Sequence, residues 1–89
     1  MFAFNVELTD TFGGESNYSW VKRAELSSGK DTRRSMVRKA KEWAGYTGLH
    51  CKVEDFGDMI KIVPRGISHV MFITYDLIQN SLTSIYDRL

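Results

Sequence analysis

His50, Cys51 and His69 are the side chains here best suited to nucleophilic or acid–base work. His50 and Cys51 are neighbours in a stretch that alternates apolar and polar residues, so as strand residues they point to opposite faces and form no dyad. A Cys51–His69 pair across two strands is the nucleophile arrangement left open. It stands against the commoner reading of a core cysteine and a hydrogen-bonded strand histidine. A metal centre needs three or four clustered ligands, and no such spacing occurs. Asp55-Phe56-Gly57 matches the kinase metal loop only as a string, because 89 residues leave no room for a kinase. Phe12-Gly13-Gly14 lacks the Lys-Ser/Thr that a phosphate loop carries. Glu54, Asp55 and Asp58 cluster where solvated turn residues are expected. The expectation is a protein that is not an enzyme, with no catalytic residues, no metal and no cofactor.

Binding chemistry has more to work with. The stretch RRSMVRKAKEW (Arg33 to Trp43) holds five bases and one acid in eleven residues. At helical spacing, Arg34, Arg38 and Lys41 form one stripe. Lys22, Arg23 and Lys30 are expected to extend it into a partner-binding patch, facing either phosphates or an acidic protein surface. Arg33 and Arg34 fall in the first helical turn, where the positive end of the helix dipole disfavours cations by about 0.3–1 kcal/mol each. Against this stands the plain alternative that basic residues keep the wet face of a helix soluble. Tyr18 and Trp20, two apart on one strand, are an alternative stacking platform for bases, or else core residues facing Trp43 and Met36.

Composition sets the frame for these elements. Apolar residues make up 43% and charged residues 26%, as in ordinary globular domains and too apolar for disorder. The net charge is +1, with residues 22–65 carrying an excess of bases and both flanks an excess of acids. That excludes an acidic, whole-surface DNA mimic. A single cysteine permits no internal disulfide, and no run reaches the ~18 apolar residues of a membrane helix. A cytoplasmic protein with no membrane partner is the expectation.

The residues must be held by elements, and periodicity supplies them. Phe2, Phe4, Val6 and Leu8 alternate with Ala3, Asn5, Glu7 and Thr9, the pattern of a half-buried strand. Asp10 to Asn17, rich in Gly, Asp, Ser and Asn, reads as a long hairpin loop. Tyr18 to Leu26 reads as a second strand, with Tyr18, Trp20, Ala24 and Leu26 on one face. Asp31 or Thr32 is placed to cap a helix whose dry face carries Met36, Val37, Ala40, Trp43 and Ala44, ending at Gly45 or Gly48. Arg38 and Glu42 are spaced for an ion pair along that helix. Strands follow at Leu49 to Phe56, Met59 to Val63 and Ile67 to Tyr75. In 76–89, Ile78, Leu82, Ile85 and Leu89 recur at helical spacing after a capping box at Asp76 and Gln79. That segment is expected to close the open face of the sheet or, through 77–89, to form a homodimer seam. The expected fold is α+β: a mainly antiparallel sheet of four to five strands with one amphipathic helix packed on a face, in the order β-β-α-β-β-β-α, as a single domain over 1–89.

Three stretches, TDTFGGESNYSWVKR (Thr9 to Arg23), RRSMVRKAKEWAG (Arg33 to Gly45) and EDFGDMIKIVPRG (Glu54 to Gly66), carry a resemblance. Together they look like a family of small uncharacterised proteins of phages, prophages and mobile elements. The resemblance brings no catalytic residues with it. It implies a setting in the host cytoplasm and a partner that is a host protein or complex, bound and inhibited as anti-defence proteins such as anti-CRISPRs do. A nucleic-acid-binding module using the basic helix face is the alternative. The order from the long helix onward also echoes the double-stranded-RNA-binding domain. That domain, however, places lysines at the start of its last helix, where this chain has Asp76, Leu77, Ile78 and Gln79.

Overall fold

The structure, a computed structural model, describes residues 2–30 and 32–75. They form β1 (Phe2–Phe12), β2 (Glu15–Ser28), α1 (Arg33–Ala44), β3 (Cys51–Asp55), β4 (Met59–Pro64) and β5 (His69–Thr74). The five strands make one antiparallel sheet in the spatial order β2-β1-β5-β4-β3, an α+β arrangement with the helix on one face. The seven-element order with a second helix does not match, since the described residues hold one helix. The C-terminal helix and the homodimer seam were both assigned to residues that lie outside the described ones. Residues 29–50 take the chain from one edge strand, β2, to the opposite edge strand, β3.

The alternation in β1 sets the core. Phe2, Phe4, Val6 and Leu8 are all buried, and register places Val6 beside Ile73 and Leu8 beside Met71. Ile60 and Ile62 extend the same two rows into β4. Met36 and Ala40 of α1 close over this floor at 2% and 0% exposure, with Val37, Trp43 and Ala44 half-buried around them. Each large apolar side chain buried here contributes about 1.5–3 kcal/mol. The helix begins where Thr32, extended at φ −85 and ψ 145, accepts a hydrogen bond from the Ser35 amide at 3.2 Å. It ends at Gly45, left-handed at φ 78, where the Gly45 amide donates to Glu42 and the Tyr46 amide to Lys41, the paired closure that a glycine permits.

Asp10 to Asn17 is not the long loop that its composition suggests. β1 runs on to Phe12 and β2 begins at Glu15, joined by Gly13 and Gly14 at φ 61 and 85. Two positive φ values in a two-residue connection are what a right-twisting hairpin demands. The ladder has one irregularity. Thr9 pairs with Val21 and Thr11 with Ser16, so Asp10 alone stands opposite Asn17 to Trp20. The extra β2 residues need hydrogen-bond partners, and the Asp10 carboxylate supplies them. It accepts from the Ser19 amide at 3.1 Å, from Asn17 Nδ2 at 2.9 Å and from the Ser19 hydroxyl. Within this bulge Tyr18 adopts φ 57, a left-handed conformation costing a tyrosine about 1–2 kcal/mol.

Two outcomes follow. Ile73→Ala, on the central strand at 0% exposure, will lower unfolding stability by about 2–5 kcal/mol in urea titration. Hydrogen bonds from Ser19 and then Asn17 hold the Asp10 carboxyl at about 2, below its ordinary 3.8. Because folding lowers this value, the stabilisation is complete well above pH 3.8 and disappears as pH falls to about 2. Asp10→Asn will therefore melt below the parent at pH 6, with the gap closing as pH approaches 2. A gap equally wide at pH 6 and pH 2 would contradict the assignment.

Candidate functional site

At about 100° per residue, seating α1 on Met36 and Ala40 turns Arg34, Arg38 and Lys41 to its far side. Arg34 and Arg38 are exposed and Lys41 is half-buried along its stem. The three lie along about 10 Å of helix and line a shallow depression of about 310 Å³ with Val37, Glu42, Thr47 and Gly48. A second depression, of about 510 Å³, continues past Arg34 and Arg38 to Ser35, Thr32 and Lys30 at the helix start. Lys30 is held near by its own backbone, whose carbonyl accepts from the Ser28 hydroxyl. Lys30, Arg34, Arg38 and Lys41 are thus brought together in one surface.

Among the described residues none of these four cations is in an ion pair. The pairs that do form are Arg23–Glu7 at 3.0 Å, Arg33–Asp55 at 3.9 Å and Lys52–Glu54 at 3.5 Å. The Arg38–Glu42 pair expected along the helix is not formed. The first helical turn contains no acid, so Arg34 meets the helix dipole without a neighbouring carboxylate in that turn.

Neither Lys22 nor Arg23 lines these depressions. Adjacent strand residues face opposite ways, and register sets Lys22 beside Leu8 on the helix side and Arg23 beside Glu7 on the other. Arg23 is tied to Glu7 there, away from the ridge. The aromatic platform also divides. Trp20 stands edge-on to His69, with ring centroids 5.0 Å apart. Tyr18, turned by its left-handed backbone, lines a depression of about 640 Å³ on the face away from α1, with Arg23, Met59 and Phe72. The shared face expected for Tyr18 and Trp20 is not formed, because the bulge breaks the alternation between them.

The candidate Cys51–His69 pair is replaced by a tyrosine. The Tyr46 hydroxyl is hydrogen-bonded to His69 Nδ1 at 2.5 Å, while the Cys51 thiol donates to the Leu49 carbonyl at 3.6 Å. Burial, and then the nearby Cys51, push the Tyr46 hydroxyl above its ordinary value of 10.0, so it stays protonated. Tyr46, His69 and Trp20 together pin the end of the helix to the base of the hairpin. Nothing local in the sequence singled out Tyr46, since its partner is 23 residues away. Two of the three hairpin carboxylates have neighbours of their own. Asp55 accepts from the Gly57 amide at 2.8 Å and faces Arg33, and Glu54 faces Lys52. Among the described residues no three potential ligands gather for a metal, and no helix is long and apolar enough to cross a membrane. Compared with family models, curated proteins and solved structures, the chain matches none.

Proposed function

We propose that this is a non-enzymatic interaction protein whose α1 ridge docks on an acidic surface of a host protein or complex and occludes it. The observation that carries this reading is the contiguity of Lys30, Arg34, Arg38 and Lys41, none of them ion-paired among the described residues. A helix selected for stability alone would place Asp or Glu in its first turn. This one places Arg33 and Arg34 there, and only Arg33 has a carboxylate within 4 Å among the described residues. The mobile-element resemblance supports a host target, with inhibition of a defence complex, as anti-CRISPRs achieve it, as its sharpest form. The same cations suit phosphates, and the second reading is a nucleic-acid-binding module that positions on the backbone without reading bases. Trp20 is engaged with His69 and Tyr18 lies across the sheet, so a stacking platform is not part of either reading.

Charge reversal separates binding from folding. Arg34→Glu places an acid in the first turn and will raise helix stability by about 0.3–1 kcal/mol. Arg34→Glu with Arg38→Glu will nonetheless reduce recovery of the partner from host lysate at least about tenfold, the loss expected when two charge contacts of about 1 kcal/mol or more are reversed. Partner recovery unchanged by the double reversal removes the ridge from the interface. Filter binding to DNA and RNA over a salt series tests the second reading. A slope of several units in log K against log salt favours nucleic acid. Binding no tighter than that of a neutral control domain eliminates it.

A further inference from the structure

The two edges of the sheet are unequal. β3 at one edge is five residues long, and β2 at the other is fourteen. An unpaired edge offers a row of amides and carbonyls to another strand, and short length, proline or a bulge are common guards against it. β2 contains no proline, and its bulge is confined to Asn17 to Trp20. From Val21 to Ser28 its ladder with β1 runs without a break, and among the described residues no strand pairs on its other side. Arg23 and Glu25 are both exposed on the face away from α1. Arg23 gives its Nε–H to Glu7 at 3.0 Å, which leaves its Nη groups for a second carboxylate. Glu25 is in no ion pair among the described residues.

We infer that a second copy of this chain pairs antiparallel along this edge, β2 against β2, with Ala24 facing Ala24 of the second copy. Symmetry and charge together select that register. Residues opposite each other in an antiparallel pair share a face, so in a two-fold pair one residue must face its own copy. Centring on Lys22, Arg23 or Glu25 sets like charges opposite. Centring on Val21 runs the ladder into the bulge, and centring on Leu26 pairs only Ala24 to Ser28. Centring on Ala24 sets Arg23 opposite Glu25 of the second copy and Glu25 opposite its Arg23, so each ion pair forms twice. Lys22 then lies opposite Leu26, a half-buried side chain that the aliphatic lysine stem covers. The axis stands perpendicular to the sheet, which places both α1 helices on one side of a continuous sheet. Two basic ridges are then presented together, and a target that reaches both gains from the second as an intramolecular contact. The pairing itself does not depend on what the ridge binds.

Charge exchange tests it, on the full chain alone with no other partner present. Sedimentation over a concentration series is expected to show a reversible dimer. Glu25→Arg sets two arginines opposite at both ends of the seam, and Arg23→Glu sets two glutamates there. Each variant alone is expected to dimerise at least about tenfold more weakly. Mixing the two restores both ion pairs, so the mixture is expected to form a heterodimer as tight as the parent dimer. In a Cys51→Ser background, Ala24→Cys is expected to give a disulfide between copies on mild oxidation. Ser27→Cys, which faces Val21 of the second copy, is expected to give none. A parent chain that stays monomeric up to its solubility limit overturns the inference. So does a dimer indifferent to both charge reversals, a mixture no tighter than its components, or cross-linking through position 27 and not 24. Glu25 is exposed and unpaired, so the Glu25→Arg arm decides the matter even where Ala24→Cys disturbs the fold.

Discussion

Val6 beside Ile73 and Leu8 beside Met71 form the seam where the first hairpin meets the last strand, and the helix has no floor until that seam closes. The seam runs from Asn5 opposite Thr74 to Asp10 opposite His69. It therefore joins segments from the two ends of the described chain, at a loop-closure cost that local contacts cannot offset alone. Once it is made, β1 and β5 carry both rows of buried side chains, and Met36 and Ala40 have one surface to sit on. Ala40, with 0% exposure, leaves little freedom for the helix to roll. The rotation that buries it is the same rotation that turns Arg34 and Arg38 into solvent. Packing, not any contact of their own, orients the cations.

The second device is the Asp10 carboxylate. An irregular ladder leaves backbone donors on β2 without strand partners, and charge-assisted hydrogen bonds to a carboxylate are among the stronger ways to satisfy them. These bonds offset the strain of Tyr18 and have a consequence on both faces. Trp20 stays on the helix side, where His69 and Tyr46 receive it, and Tyr18 goes to the other. Beyond the bulge the hairpin continues past the last β5 pairing as an exposed arm, with Phe12 at 81% exposure near its tip.

What was legible in the sequence was what repeats locally. Phe2 to Leu8 and the Met36–Ala40 stripe each declare a face through their own period, and the ridge of Arg34, Arg38 and Lys41 follows by subtraction. The strand ends between Asp10 and Asn17 were not legible, because an exposed arm buries neither face and so shows no alternation. Its polar residues therefore look like a loop, although Thr11 pairs with Ser16 and Phe12 with Glu15. The separation of Lys22 from Arg23 was available in principle, since strand neighbours always oppose. The bond from Tyr46 to His69 was not, because it depends on where β5 enters the sheet. Tyr18 gave no signal either, as tyrosine is a residue that rarely takes a left-handed backbone.

The charge distribution on α1 bears on why the ridge exists at all. Solubility alone would be served equally by acids in the first turn, which would also stabilise the helix. Arg33 recovers part of its unfavourable placement from Asp55 at 3.9 Å, but a half-exposed pair at that distance contributes at most about 1 kcal/mol. Arg34 has no such carboxylate among the described residues. A domain of this size has a total stability on the order of 5–10 kcal/mol, so even about 0.5 kcal/mol carried by an exposed side chain is a real fraction. An exposed position is also where substitution is least constrained by packing. Arg34 therefore stands against the local field with no carboxylate in the first turn to offset it.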